Sequence, residues 1–165
     1  MGRVSDRLTI TASVTIAADP EQVWQLAVDW SRQRDWIWAT RTTGGKGVGA
    51  TVTARTGAGP VAFTDTMLIT EWDPPRRCTM THTGRVVRGE GVFEVLPRAG
   101  GSEFRWTERV WLPEGLVGLV PPAMVGGFTR IAYAVIAPIA RAGLRSSLVR
   151  FARLAGAATA NARRS

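Results

Sequence analysis

A chain of 165 residues, 45% hydrophobic and 21% charged, has the length of one domain and a composition that excludes wholesale disorder. Cys78 is the only cysteine, which excludes an intrachain disulfide and thiolate-cluster metal sites. The formal charge of +8 is unevenly spread: up to Glu114 there are 14 Lys/Arg against 13 Asp/Glu, and from Gly115 onward seven Arg and no acid.

The first segment, Met1–Ser13, carries Arg3, Asp6 and Arg7 and lacks the apolar run of a secretory signal. Met1-Gly2 opens like a myristoylation signal, but Asp6 stands where Ser or Thr is required, so a cytoplasmic protein is expected. Leu8, Ile10, Ala12, Val14 and Ile16 alternate with polar residues at a period of two, the pattern of a strand buried on one face. Asp19-Pro20-Glu21-Gln22 follows as a helix start, with Asp as N-cap, Pro at the first helical position and Gln completing a capping box. Val23, Leu26, Ala27 and Trp30 continue it as an apolar stripe, and Ser31 is expected to cap a second short helix through Trp36.

Strand signals then return at Thr40–Thr43, Ala50–Thr56, Phe63–Trp72, Arg77–Thr83, Val86–Leu96 and Glu103–Leu112. The connections are short and rich in Gly and Pro, which implies an antiparallel meander because parallel neighbours need a crossover. In the tail, Phe128, Ile131, Ala132, Val135, Ile136 and Ile139, then Leu144, Leu148, Phe151, Ala152 and Ala155, recur at three and four and predict a long helix that Pro138 kinks or divides. Leu116–Ala140 is apolar enough to raise a membrane span, but Pro121, Pro122, Gly126, Gly127 and Pro138 interrupt it. Arg130 near its middle costs roughly 2.5–3.5 kcal/mol on insertion scales.

Strand, two short helices, about six to seven antiparallel strands and one long helix make an α+β domain whose sheet must bury a face against that helix. One domain over residues 1–165 is expected, with residues 1–6 and 160–165 as frayed ends. This order resembles the helix-grip superfamily of START domains, birch-pollen-allergen-like proteins and polyketide cyclase/dehydrase-like proteins (SRPBCC). The resemblance rests most on TIAADPEQVWQLAVDWSRQRDWIW at Thr15–Trp38 and ITEWDPPRRCTMTH at Ile69–His82, and it covers nearly the whole chain. It implies a curved sheet gripping the long helix around a deep apolar cavity. It implies no catalytic residue, because these proteins share no catalytic motif and range from lipid carriers to ketide cyclases.

The cavity wall can be read from strand alternation. A tight Pro74-Pro75 turn pairs Ile69 with Met80 and Met67 with His82, and a tight Gly84-Arg85 turn pairs His82 with Val87, Met80 with Gly89 and Cys78 with Gly91. The inner face then carries Met67, Ile69, Cys78, Met80, His82, Val87, Gly89, Gly91, Phe93, Phe104, Trp106, Glu108 and Val110. Thr64, Thr66, Thr79, Thr81, Arg88, Glu90, Glu94, Arg105, Thr107 and Arg109 face solvent. A register slip of one residue would invert every assignment. Gly89 and Gly91 stand mid-strand, where glycine marks a bend, a bulge or the close approach of another group; they either leave space for a ligand or admit a helix residue such as Phe128. Ligand contacts are expected from Met67, Ile69, Met80, His82, Val87, Gly89, Gly91, Phe93, Trp106 and Glu108 on the sheet, and from Phe128, Ile131 and Val135 on the tail helix.

Asp65, His82 and Glu108 are the acid–base candidates, since alternation sets all three among apolar residues. On the expected register Asp65 is diagonal to His82, whereas Glu108 lies two strands and two pair-rows away, too far for contact. A lone His with scattered carboxylates lacks metal-ligand spacing, so neither a metal nor another cofactor is expected. Trp24, Trp30, Trp36 and Trp38 either stack on a planar ligand or close the end of the core, and Trp72 and Trp111 alternate outward.

The basic excess is nearly all Arg, and no zinc finger or RNA-binding aromatic signature accompanies it, so nucleic acid is not an expected partner. Arg141, Arg145, Arg150 and Arg153 flank an apolar helical stripe. That pattern fits either a helix covering the sheet with Arg in water or an interfacial helix on anionic lipid. Three functions remain open: a carrier or sensor of a lipid, polyketide or isoprenoid; a polyketide cyclase working through an Asp65–His82 pair; and a membrane or partner module using the basic tail. Pro121-Pro122 and Gly126-Gly127 are the expected hinge for ligand entry.

Overall fold

The computed structural model describes residues 7–84, 87–111 and 125–162, the side chains of Val61, 125–133 and 160–162 excepted. The elements are β1 (Arg7–Ile16), α1 (Pro20–Ala27), a 3-10 turn (Trp30–Arg32), α2 (Gln33–Trp36), β2 (Thr40–Gly44), β3 (Thr51–Thr56), β4 (Phe63–Asp73), β5 (Arg77–His82), β6 (Arg88–Arg98), β7 (Gly101–Trp111) and α3 (Val125–Ala162). The seven strands form one antiparallel sheet in the order β1-β7-β6-β5-β4-β3-β2. α3 lies across β1 and against α1 and α2, which is the helix-grip arrangement. Of the expected hinge, Pro121 and Pro122 lie outside the described residues, whereas Gly126 and Gly127 begin α3.

Local chemistry explains most boundaries. Pro20 starts α1, and Gln22 Oε1 accepts the Asp19 backbone N–H at 3.4 Å. Ser31 does not cap the second helix: its hydroxyl donates to Asp29 Oδ1 at 2.6 Å, and the 3-10 turn begins one residue earlier at Trp30. In the β4–β5 turn the Arg76 N–H reaches the Asp73 carbonyl at 2.7 Å, and its guanidinium makes two bonds to the Asp73 carboxylate.

Two register details differ from expectation. A bulge in β4 between Ile69 and Glu71 sets Trp72 opposite Cys78. The extra residue reverses the alternation, so Trp72 turns inward and meets Trp24 edge-to-face at 5.1 Å instead of facing out. The β5–β6 connection is longer than a tight turn, and His82 pairs with Gly89, Met80 with Gly91 and Cys78 with Phe93. A shift of two residues preserves which face each side chain occupies, so the inner-face assignment survives while the β5–β6 partners change; the expected Ile69–Met80 and Met67–His82 pairs hold, and Thr79 and Thr107, expected in solvent, are buried.

Trp36 is fully buried and meets Phe93, Phe104, Trp106 and Phe151 with ring centroids 5.0–6.1 Å apart. Of the four clustered tryptophans, Trp24, Trp30 and Trp36 thus belong to the core. The outer sheet face carries an ion-pair ladder in which Arg77 joins Glu71 to Glu94, and Arg105 joins Glu94 to Glu103.

α3 keeps the phase its apolar repeat predicts from Leu144 onward and departs from it before that residue. Ala137 is buried with Leu8 and Ile10, and Ala140 and Leu144 pack on them; Leu148, Phe151 and Ala155 enter the main core. Val135 (58% exposed), Ile136 (45%) and Ile139 (70%) point away from the sheet. The helix is apolar on both sides, so its sequence repeat could not identify the covered one.

Replacing Trp36 with Ala should cost about 3–5 kcal/mol, the range for truncating a buried aromatic. The measurement is the urea midpoint; a loss below about 1 kcal/mol would mean the aromatic cluster does not organise the core.

Candidate functional site

The wall of the site begins with strand pairing on the inner sheet face. β6 contributes Gly89 and Gly91 between His82 on β5 and Glu108 on β7, with His82 paired to Gly89 and Gly91 to Glu108. Because Gly91 has no side chain, the Glu108 carboxylate lies over it: a Cβ there would stand 3.0 Å from Glu108 Oε1. Gly89 has φ +142°, and its Cβ would strike the Arg109 carbonyl, so the backbone itself requires glycine there. Gly91 thus makes room for Glu108, and Gly89 takes a backbone conformation closed to other residues; the Phe128 side chain lies outside the described residues.

Across this gap His82 and Glu108 touch, contrary to the expected separation. His82 Nε2 is 3.1 Å from Glu108 Oε2, and Nδ1 is 2.5 Å from Asp65 Oδ2 on β4. The diagonal contact between Asp65 and His82 is as expected, whereas the two-residue register shift brings Glu108 within reach. Trp106 Nε1 donates to the other Glu108 oxygen at 2.6 Å. Gly84 closes the far end, since a Cβ there would stand 2.7 Å from Asp65 Oδ1, a buried oxygen with no hydrogen-bond partner.

The ring nitrogens of His82 each face a carboxylate, so both act as donors and the ring is an imidazolium. Burial works against this charge, but hydrogen bonds to Asp65 and Glu108 and their negative charges outweigh it, raising the pKa from 6.5 to about 9. The protonated ring has no free lone pair with which to bind a metal or accept a proton. Cys78 is no nucleophile either, because burial, assisted by the charge of Glu71, pushes its thiol up to about 12.

A cavity of ≈ 260 Å³ opens between α2, the sheet and the middle of α3. Met67, Met80, Phe93, Trp106 and Glu108 line it. His82 and Asp65 stand behind Glu108 rather than in the wall, and Ile69 is fully buried in the core. Val87 precedes β6 outside the cavity, Val135 faces away, and Phe128 and Ile131 lie outside the described side chains.

Sequence reasoning missed the other half of the wall. Gln33 and Ile37 come from α2 and the residue after it, Val52, Ala54 and Thr56 from β3, and Gly143, Leu144 and Ser147 from α3. The alternation of Val52, Ala54 and Thr56 was a usable signal, while the α3 residues needed the helix phase. Trp30 and Trp38 also line the cavity, and Trp38 stands 65% exposed at its rim.

The model of a family described as polyketide cyclase / dehydrase and lipid transport matches residues 7–156. Among solved structures, a Thermus thermophilus protein is 21% identical with a TM-score of 0.68, over 92% of this chain and 99% of that one. The Zhui aromatase/cyclase of a Streptomyces species is 15% identical with a TM-score of 0.68, over 90% and 93%. A Polyketide_cyc-like protein of Corynebacterium glutamicum is 21% identical with a TM-score of 0.61, over 93% of each chain. At these identities the likeness is one of fold. No curated protein matches the sequence.

A pKa raised on folding stabilises the protein fully below the unfolded value near 6.5, and that contribution is lost as pH rises through about 9. The shift corresponds to on the order of 3 kcal/mol. The wild-type urea midpoint should therefore fall between pH 6.5 and about 9, and His82→Gln should flatten that decline. Equal slopes in the two proteins would show that His82 is not held as a cation.

Proposed function

The chain belongs to the polyketide cyclase/dehydrase and lipid transport family, and we propose that it is a carrier or sensor that holds a small apolar ligand in the cavity between α2, the sheet and α3. The observation that carries this reading is a mostly apolar wall with, among the described residues, a single charged side chain, Glu108, whose neighbours are already committed to one another. At ≈ 260 Å³ the space lies near the lower end of ligand pockets, roughly 300–1,000 Å³, and suits a compact molecule of one or two rings. The Zhui aromatase/cyclase likeness favours a second reading, in which Glu108 takes a proton beside a ketide carbonyl while the wall folds the chain for ring closure. The carrier stands ahead because Asp65 and His82 are screened from the cavity and His82 has no lone pair to offer.

The outward ridge of α3 supports the carrier reading. Val135, Ile136 and Ile139 are exposed, and no acid occurs from Gly115 to Ser165. A second copy packed on this face would bring together two basic segments with no acid of their own, whereas anionic lipid supplies both the charge and an apolar layer. The ridge is thus a surface at which a carrier would load.

Native mass spectrometry of protein purified from its source should show a bound small apolar molecule, and Ala54→Trp, which fills the cavity from β3, should remove it. Protein that is empty in both forms overturns the carrier, and turnover of a poly-β-ketone that Glu108→Gln abolishes replaces it with the cyclase. Separately, the protein should co-sediment with phosphatidylglycerol vesicles but not with phosphatidylcholine vesicles, and Ile139→Glu should weaken this about fivefold or more. Equal binding to the two lipids, or no effect of Ile139→Glu, removes the membrane surface.

A further inference from the structure

Among the described residues of the cavity wall Glu108 is the only charged one, and none of them is Lys, Arg or His. Its oxygens are fixed in place, Oε1 by Trp106 Nε1 at 2.6 Å and Oε2 by His82 Nε2 at 3.1 Å. A carboxylate oxygen has two acceptor sites, so each retains one after these bonds are made. Neutral donors at the wall are largely spent: Trp30 Nε1 on the Gly45 carbonyl, Gln33 Nε2 on the Ala27 carbonyl and Thr40 Oγ1 on the Trp38 carbonyl. Trp38 Nε1 and the Ser147 hydroxyl keep neutral donors, so what the described wall lacks is a cation to set against a second negative charge.

We propose that the cavity selects apolar ligands whose head group is a hydrogen-bond donor, a hydroxyl or an ammonium, and turns carboxylates away, with Glu108 as the specificity-determining residue. The proposal rests on the ligand-binding reading above and adds the chemistry of the ligand's polar end. A donor head completes a free acceptor site on Glu108 in an environment where a hydrogen bond to charge is strong. A carboxylate head would lose its hydration and meet a like charge, with no cation among the described wall residues to answer it. The net charge of the group acts in the same direction. Asp65 and Glu108 flank one imidazolium, so the cluster behind the wall is negative overall and repels an anion beyond direct contact. Fatty-acid-like ligands are excluded on this ground, although the apolar walls would accept their chains.

The test uses the intact protein and four probes sharing one skeleton: naphthalene, 2-naphthol, 2-naphthylmethylamine and 2-naphthoate, titrated at neutral pH by calorimetry. At least one donor probe should bind about tenfold or more tightly than naphthoate, a separation of about 1.4 kcal/mol. The naphthol and amine arms tell a hydroxyl head from an ammonium head. Glu108→Gln should narrow the donor-to-naphthoate ratio to within about threefold, mainly by strengthening naphthoate. Gly91→Ala, whose Cβ would crowd Glu108 Oε1 at 3.0 Å, should narrow the ratio without removing the charge. Naphthoate binding as tightly as both donors overturns the proposal, as does a ratio unchanged in both folded variants. Naphthalene separates the two levels of the argument: failure of all four probes removes the cavity reading itself, whereas naphthalene binding without head-group discrimination removes only the selectivity.

Discussion

A carboxylate at the wall of an apolar cavity loses its hydration, and Glu108 keeps its place because Trp106 and His82 each donate to it. His82 in turn holds its charge because Asp65 lies on its other nitrogen. The chain Asp65–His82–Glu108 crosses four strands, β4 to β7, and can do so only because β6 presents glycines in its path. Strand register, glycine content and electrostatics are therefore one constraint. A side chain at Gly91 would press on the Glu108 carboxylate, and either carboxylate alone would leave a buried charge poorly answered.

The same constraint gives the cavity its polarity. The charged chain is anchored on the sheet, while the described residues of the opposite wall, from α2 and α3, carry no ionised group. A ligand entering between them meets one charged feature at one end. α3 closes this space with its inner face while its outer face carries the exposed Val135 and Ile139. One element thus serves both the cavity and the surface, which explains why its apolar repeat is too broad for a helix with a single buried stripe.

Much of this was legible in the sequence, for identifiable reasons. Period-two alternation specified the inner sheet face, and the Asp19-Pro20 start and the Pro74-Pro75 turn marked the elements around it. The polar residues that interrupt that face, Asp65, His82 and Glu108, were visible as anomalies. The Asp65–His82 contact was also visible, but the link from His82 to Glu108 was not. It depended on the length of the β5–β6 link, and a two-residue shift leaves the hydrophobic pattern unchanged while replacing every neighbour across that pair of strands. Trp72 was misread because a bulge reverses parity without any Gly or Pro to announce it. The face of α3 before Leu144 was misread because apolar residues surround that part of the helix, so periodicity could not choose a side.

The arrangement of protons bears on whether such a site turns over its ligand. A general base needs a lone pair directed at the substrate, and a histidine in that role usually keeps one nitrogen unprotonated. Here both nitrogens donate to carboxylates, and the ring's pKa near 9 keeps it charged at neutral pH. Its proton could pass to Glu108 only at the expense of the ion pair that keeps Glu108 in place. The network is built to hold an acceptor still in an apolar surrounding, and a fixed acceptor contributes more to recognition than to proton transfer. The tryptophans are consistent with that role: Trp36 locks the core behind the wall, Trp106 fixes one oxygen of Glu108, and Trp38 stands exposed where a ligand would enter.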